Sequence, residues 1–309
     1  MITLLRRTLI IVTVLWGLLA GAAVLAAEDK GSDDYVDGRD LWQYIDAGLF
    51  SDIGLFAGAY GSGTASVCEN PRPGPSNTGV PAGTVLTPSG SIKVTTDDAV
   101  IENLDVTGSI TVLADNVTIR NVRLTSDDYY PIRYFDNNNV GLLVEDSEII
   151  GLSGDVTSAI AFAHYTARRL NIHGMADGFK ADADVLIEDC WIHDLSNGPS
   201  EHNDGVQSTG GKGVTIRHND ISGASNAAVQ TGDEGGVATE DLTIQCNWLS
   251  GGGYTLNIRG TGDTRPVNTR VIDNRFGRDA VYGPWTLDDP SPTVTGNVWD
   301  DDGSPIPYP

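Results

Sequence analysis

Two Asp-Gly pairs, Asp177-Gly178 in DGFKAD and Asp204-Gly205 in EHNDGVQST, open two similar phrases in this chain. Carboxylates brought together in pairs can share one proton, or serve as acid and base on either side of a reacting bond. Lys180 follows the first pair and is one of only four lysines in the sequence. A cation at such a place can neutralise a carboxylate, so that a proton next to it can be removed and the enolate-like intermediate stabilised. Asp177, Asp182 and Asp184 flank Lys180 and oppose its use as the base itself unless calcium or substrate intervenes. His202 and Asn203 precede Asp204 and enrich the second phrase. Each reading has a structural counterpart: Asp-Gly is good turn chemistry before a strand, and a lysine among acids can simply balance their charge.

Hard oxygen ligands are also grouped here. Glu201, Asn203, Asp204, Asp177 and Asp182 offer donors of the kind calcium takes, with Asp182 and Asn203 the candidates outside the carboxylate pair. A solvated acidic face explains the same residues in a chain with 42 acids.

These residues are positioned by a repeat. A phrase of apolar, any, Asn or Asp, two residues, apolar recurs as IENLDVTG from Ile101, IRNVRLT from Ile119, VEDSEIIG from Val144, ARRLNIHG from Ala167 and IEDCWIHD from Ile187. It continues as IRHNDISG from Ile216, IQCNWLSG from Ile244, VIDNRF from Val271 and VTGNVW from Val294, in steps of 18 to 29 residues. One turn of a parallel β-solenoid takes about that length, each short strand pairing with the strand one turn below. Apolar residues alternate inward, while the Asn or Asp sits at a bend and tolerates the left-handed conformation. Asn121, Asp146, Asp189 and Asp273 hold that place; His218 and Cys246 depart from it.

A second strand recurs in each turn, in PIRYF, AIAFAH, DGFKAD, DGVQST, AAVQTG and TLNIRG. Setting Ile132, Ile160, Phe179, Val206, Val229 and Leu256 inward places Arg133, Ala161, Lys180, Gln207, Gln230 and Asn257 in one outward column. Two residues further on, a second column contains Asp182, Thr209 and Arg259. A slip of one residue would reverse every facing. Lys180, Asp177, Asp204, His202, Gln207 and Arg259 are therefore expected to converge on one exposed groove. Tyr254, Tyr282 and Trp285 lie toward the C-terminal turns, where aromatics could stack on sugar rings or cap the open end of the core.

The repeat, with the opening phrase PSNTGVPAGTVLTPSGSI, resembles the right-handed parallel β-helix proteins of the pectin-lyase-like superfamily, of the secreted actinobacterial type. The resemblance spans roughly residues 76 to 300. It implies an all-β fold, a right-handed parallel β-helix forming a single-stranded solenoid of about nine turns, and a polysaccharide partner bound along the outer face of one sheet. It further implies a carbohydrate-active enzyme, first a polysaccharide lyase acting on a uronate-containing glycan by β-elimination. In that reading Lys180, Asp177, Asp204, His202 and Arg259 are catalytic, and Arg133, Gln207, Gln230, Asn257, Tyr254, Tyr282 and Trp285 hold the glycan. A glycoside hydrolase using Asp177 and Asp204, or a non-catalytic glycan-binding solenoid, are the alternatives, and fold alone does not choose among them.

The whole chain agrees with this class. Its 309 residues carry 19 Lys+Arg against 42 Asp+Glu, a net charge of -23 that offers no basic stripe for nucleic acid. With 37 Gly, 14 Pro and only 2 Met, it is poor in helix formers. Arg6 and Arg7 precede a charge-free apolar run from Thr8 to Ala27 that ends in small residues, which reads as a secretory signal or, if uncleaved, a membrane anchor. The expected organisation is a leader at 1–27, an acidic Gly/Pro-rich linker with a possible capping helix at 28–75, and the β-helix at 76–309. The product would be a monomer, secreted or held at the cell surface. Cys190 and Cys246 fall two turns apart, and turns rise about 4.8 Å each, too far for a disulfide. Any bridge must therefore use Cys68.

Overall fold

The computed structural model describes residues 67–134, 139–196, 202–232 and 235–308. The apolar leader, the expected capping helix and Glu201 lie outside the described residues. The described chain winds as a parallel β-helix with two large sheets, one of 17 strands and one of nine, and every ladder within them is parallel. Among the described residues, helix is confined to two short 3-10 turns, Val67–Glu69 and Gly262–Thr264.

The repeat phrase stacks in the expected register. Ile101 pairs with Ile119, Ile119 with Val144, Val144 with Ala167 and Ala167 with Ile187. The line continues from Ile187 to Ile216, Ile244, Val271 and Val294. From Ile119 to Val271 these side chains are fully buried. Like side chains therefore sit on like along the axis, and burying them is the main stabilising term.

The third residue of each phrase is left-handed, with φ of 53° at Asn121, 48° at Asp146, 57° at Asp189 and 54° at Asp273. The departures obey the same geometry, since φ is 51° at Arg169, 53° at His218 and 58° at Cys246. That conformation strains such residues, and each is held by a specific partner. Arg169 donates to both carboxylate oxygens of Asp146, at 2.7 Å each. His218 Nδ1 lies 2.6 Å from Asp189 Oδ1, and Cys246 is disulfide-bonded to Cys68.

The left-handed corner turns the next residue inward, a consequence the sequence reading missed. In the last four turns that residue is Asn219, Asn247, Asn274 and Asn297, forming a buried amide ladder. Asn219 Nδ2 donates to Asn247 Oδ1 at 3.0 Å, Asn247 Nδ2 to Asn274 Oδ1 at 2.9 Å, and Asn274 Nδ2 to Asn297 Oδ1 at 3.0 Å. Each amide also serves backbone, as when Asn219 Oδ1 accepts from the Cys190 N–H at 2.8 Å. Cys190 occupies the same inward position one turn earlier, where its thiol donates to the Glu188 carbonyl at 3.2 Å. Cys190 and Cys246 are thus separated by facing as well as by distance. Cys190 is unpaired and buried, and burial pushes its thiol well above the usual range.

Residues 68–79 form a strap across several turns. Beyond the Cys68 disulfide, the Arg72 guanidinium takes Asp220 in a fork at 2.6 and 3.0 Å, and the Gly79 N–H donates to the Arg169 carbonyl at 2.9 Å.

Two outcomes are expected from this architecture. Non-reducing peptide mapping should recover a Cys68–Cys246 pair, with Cys190 resisting alkylation until the chain is unfolded. Asn247→Ala should cost about 1–3 kcal/mol for each ladder group it leaves buried and unpaired, read as a lowered urea midpoint with an unchanged m-value.

Candidate functional site on the nine-stranded sheet

The nine-stranded sheet carries the outward column in the expected order. Thr111 pairs with Arg133 and Arg133 with Ala161; Lys180 pairs with Gln207, Gln207 with Gln230, Gln230 with Asn257 and Asn257 with Thr286. Strict alternation, however, would put Asp177 and Asp204 inside, three residues before Lys180 and Gln207. The glycines between them prevent this. A Cβ at Gly178 would strike the Gly205 carbonyl oxygen and approach Ile192 to 2.8 Å, and one at Gly205 would strike Ile221 and the Ala228 carbonyl. Each glycine therefore faces the core together with the residue after it, Phe179 or Val206, both buried. Asp and its i+3 neighbour then share the outer side. The Asp-Gly pairs are a packing device that turns carboxylates outward, and neither glycine has a positive φ.

At the centre Lys180 Nζ donates to Asp177 Oδ2 at 2.5 Å and also to Gln207 Oε1. Asp177 Oδ1 accepts the Asp204 backbone N–H at 2.8 Å, so Asp177 bridges the two strands as an acceptor. Asp204 is 0% exposed. Its Oδ1 accepts from Asn226 Nδ2 at 2.8 Å, while Oδ2 has no hydrogen-bond partner among the described residues. Burial first, and the neighbouring Asp177 charge second, hold the Asp204 carboxyl well above the usual carboxylate range. The pair is thus unequal: one carboxyl accepts from an ammonium, and the pKa of the other is raised by burial.

Asp177, Lys180 and Gln207 line an open cleft of about 400 Å³ with His202, Tyr129, Asp155 and Thr157. His202 is exposed on its wall. Of the six residues expected to meet, five do so: four in the cleft lining and Asp204 beneath it. Arg259 does not. It stands exposed beyond the end of strand Tyr254–Ile258, three strands along the sheet and so about 14 Å from Lys180. In the second outward column Asp182 and Thr209 meet on adjacent turns, and Arg259 is left out because it lies two turns beyond Thr209 along the axis.

Other expected binding residues divide. Gln230 and Asn257 continue the amide row, with Asn257 Nδ2 donating to Gln230 Oε1 at 2.5 Å. Tyr254 and the exposed Tyr282 approach each other, ring centroids 5.5 Å apart. Trp285 takes the inward place next to Leu256 and packs edge-on against Phe276 and Tyr308, so it closes the core rather than facing a ligand. The two expected metal ligands lie at opposite ends of adjacent strands and do not converge. Asn203 is buried, donating to the Ser196 carbonyl at 2.7 Å and accepting from Ser225. Asp182 accepts the Thr209 N–H at 2.8 Å, and burial raises its carboxyl pKa. Among the described residues no three His, Cys, Asp or Glu side chains gather to hold a metal.

Two contributors escaped the sequence reading. Asn226, which holds Asp204, directly precedes the residue that registers with Asp204, Ala227, and this adjacency was visible once the strands were aligned. Tyr129, from the turn before Arg133, was signalled only by the pair Tyr129-Tyr130 ahead of a strand.

No family model matches the chain, and no curated protein matches it. Among solved structures it is similar to the A-module of the Azotobacter vinelandii mannuronan C-5 epimerase AlgE6, at 14% identity and a TM-score of 0.49. The match covers 69% of this chain and spans 65% of that module's length.

The state of Asp204 has a measurable consequence. A carboxyl whose folded pKa lies above its unfolded value of about 3.9 binds its proton more tightly in the native state. Its contribution to stability is full below that unfolded value and is lost as pH rises toward the folded pKa. Asp204→Asn should flatten this part of the stability profile, removing a slope of up to about 1.4 kcal/mol per pH unit. Urea unfolding of both proteins between pH 4 and pH 8 would show it; parallel profiles would contradict an acid held protonated.

Proposed function

We propose that the protein is a secreted carbohydrate-active enzyme that cleaves a uronate-containing polysaccharide by β-elimination at the Lys180 cleft. The observation that carries this reading is the ammonium of Lys180, fixed by Asp177 and Gln207 at the floor of an open cleft, above the buried Asp204 whose carboxyl pKa burial raises. Lys180 is placed as a cation rather than as a base: two of its three N–H donors go to Asp177 and Gln207, which leaves one for a carboxylate of the substrate. A uronate carboxylate set against it gains a partner for the charge that builds when the C5 proton leaves.

His202, exposed on the wall, takes that proton. The C5–H electron pair forms the C4–C5 double bond as the C4–O4 bond breaks, and the departing oxygen takes its proton from water in the open cleft. Gln207, Gln230 and Asn257 offer amides to sugar hydroxyls along the sheet. Calcium was an expectation from the oxygen-rich sequence, but Asp182 and Asn203 do not meet, so no step is derived through it.

A second reading, hydrolysis, is favoured by the unequal Asp177–Asp204 pair, which has the division of roles such enzymes use. The products distinguish the two. Incubated with uronate and neutral polysaccharides, with calcium or with chelator, a lyase yields an unsaturated, UV-absorbing end, whereas a hydrolase yields only a new reducing end. For elimination, Lys180→Ala should lower kcat by about 10²–10³-fold with the fold intact. For hydrolysis, Asp204→Asn should abolish turnover while Lys180→Ala raises only KM. Binding of a polysaccharide without turnover by the wild type would replace both with a glycan-binding solenoid.

A further inference from the structure

The cleft does not end at Lys180. A second hollow of about 280 Å³ adjoins it, lined by Ser109, Thr111, Asp128, Tyr129, Tyr130 and Arg133. Tyr129 belongs to both walls and is 61% exposed. It is no loose side chain at a loop tip. Its carbonyl accepts the Thr157 N–H at 2.9 Å, and the preceding Asp128 N–H donates to Ser126 Oγ at 3.1 Å. Its ring meets Tyr130 edge-on at 4.7 Å, and Tyr130 meets Phe162 edge-on at 5.5 Å. An aromatic face supported in this way loses little freedom on binding and suits the apolar face of a sugar ring.

The outward column supplies the charges. Arg133 and Lys180 stand on strands separated by the single strand Ser158–Phe162, whose member of the column is the fully buried Ala161. Two strand spacings put the cations about 10 Å apart, of the order of a disaccharide. Tyr129 partitions this gap, and Asp128 and Asp155, one in each hollow, can accept hydrogen bonds from sugar hydroxyls.

Resting on the glycan-cleaving reading above, we propose that Tyr129 is a sugar-stacking platform that joins the two hollows into one groove, and that Arg133 takes the carboxylate of a second acidic unit. The preferred ligand is then an oligouronate spanning both hollows rather than a single sugar, which makes the enzyme one that engages the interior of a chain.

The test separates binding from turnover. In the full chain carrying His202→Gln, so that the C5 proton is not removed and ligand is not consumed, calorimetry would follow oligogalacturonates and oligomannuronates from monomer to hexamer, with neutral oligosaccharides as controls. Affinity is expected to rise steeply from monomer to trimer and to favour the acidic series. Tyr129→Ala should weaken the longer oligomers by about fivefold to tenfold and leave the monomer little changed; Tyr129→Phe should bind as the parent does. Arg133→Gln should erase the preference for acid at the second unit. Equal binding by Tyr129→Ala and the parent, while wild type still cleaves, overturns this proposal and leaves the glycan-cleaving reading standing. Length-dependent binding through Tyr129 with no turnover by wild type does the reverse. If no oligomer binds any form of the protein, both fall.

Discussion

Parallel stacking at one strand per level makes every turn inherit the facing of the turn below. A residue that points inward on one turn must find its successor inward on the next, because the ladder hydrogen bonds fix the register and a slip of one residue reverses every side chain. The left-handed corner is where this constraint is set. It allows an apolar residue on one strand and the first residue of the next to enter the same core, and it recurs from Asn121 to Asp273 whatever the side chain. Where the chain supplies Arg169, His218 or Cys246 instead of Asn or Asp, an ion pair, an imidazole–carboxylate hydrogen bond or a disulfide holds the corner. The geometry is kept and the chemistry that keeps it varies.

The same stacking builds the polar lines of the molecule. Inside, the amides of Asn219 to Asn297 relay hydrogen bonds along the axis and satisfy carbonyls that turning the corner would strand. Outside, Lys180, Gln207, Gln230 and Asn257 form a row by the same rule. The inner row is closed, each member having partners above and below. The outer row is open at the Lys180 end, where the sheet face borders a cleft. A structural ladder and a candidate site thus arise from one repeat, and exposure to the cleft distinguishes them.

Burial then divides two chemically identical residues. Asp177 and Asp204 occupy equivalent places on successive turns, yet Asp177 reaches the ammonium of Lys180 and Asp204 meets only a neutral amide in a dry setting. The difference follows from burial first and from the adjacent Asp177 charge second, while the lysine three residues on gives Asp177 a cationic partner.

The sequence by itself determined the period, the inward stack from Ile119 to Val271, the outward column from Arg133 to Asn257 and the exclusion of a Cys190–Cys246 bridge. These are properties of register, and register is set by alternation and repeat length, which a sequence displays. It did not reveal that Gly178 and Gly205 face the core, because that depends on the approach of neighbouring backbones and of Ile192 and Ile221 from the opposite sheet. Nor did it show Trp285 closing the core, or Asn203 committed to the Ser196 carbonyl and to Ser225 of the next turn. Each depends on contacts between segments of unequal length, for which the repeat has no rule. Tertiary structure alone decided which of two aspartates has its pKa raised, since a pKa is fixed by the surroundings of a group in space and not by its neighbours along the chain.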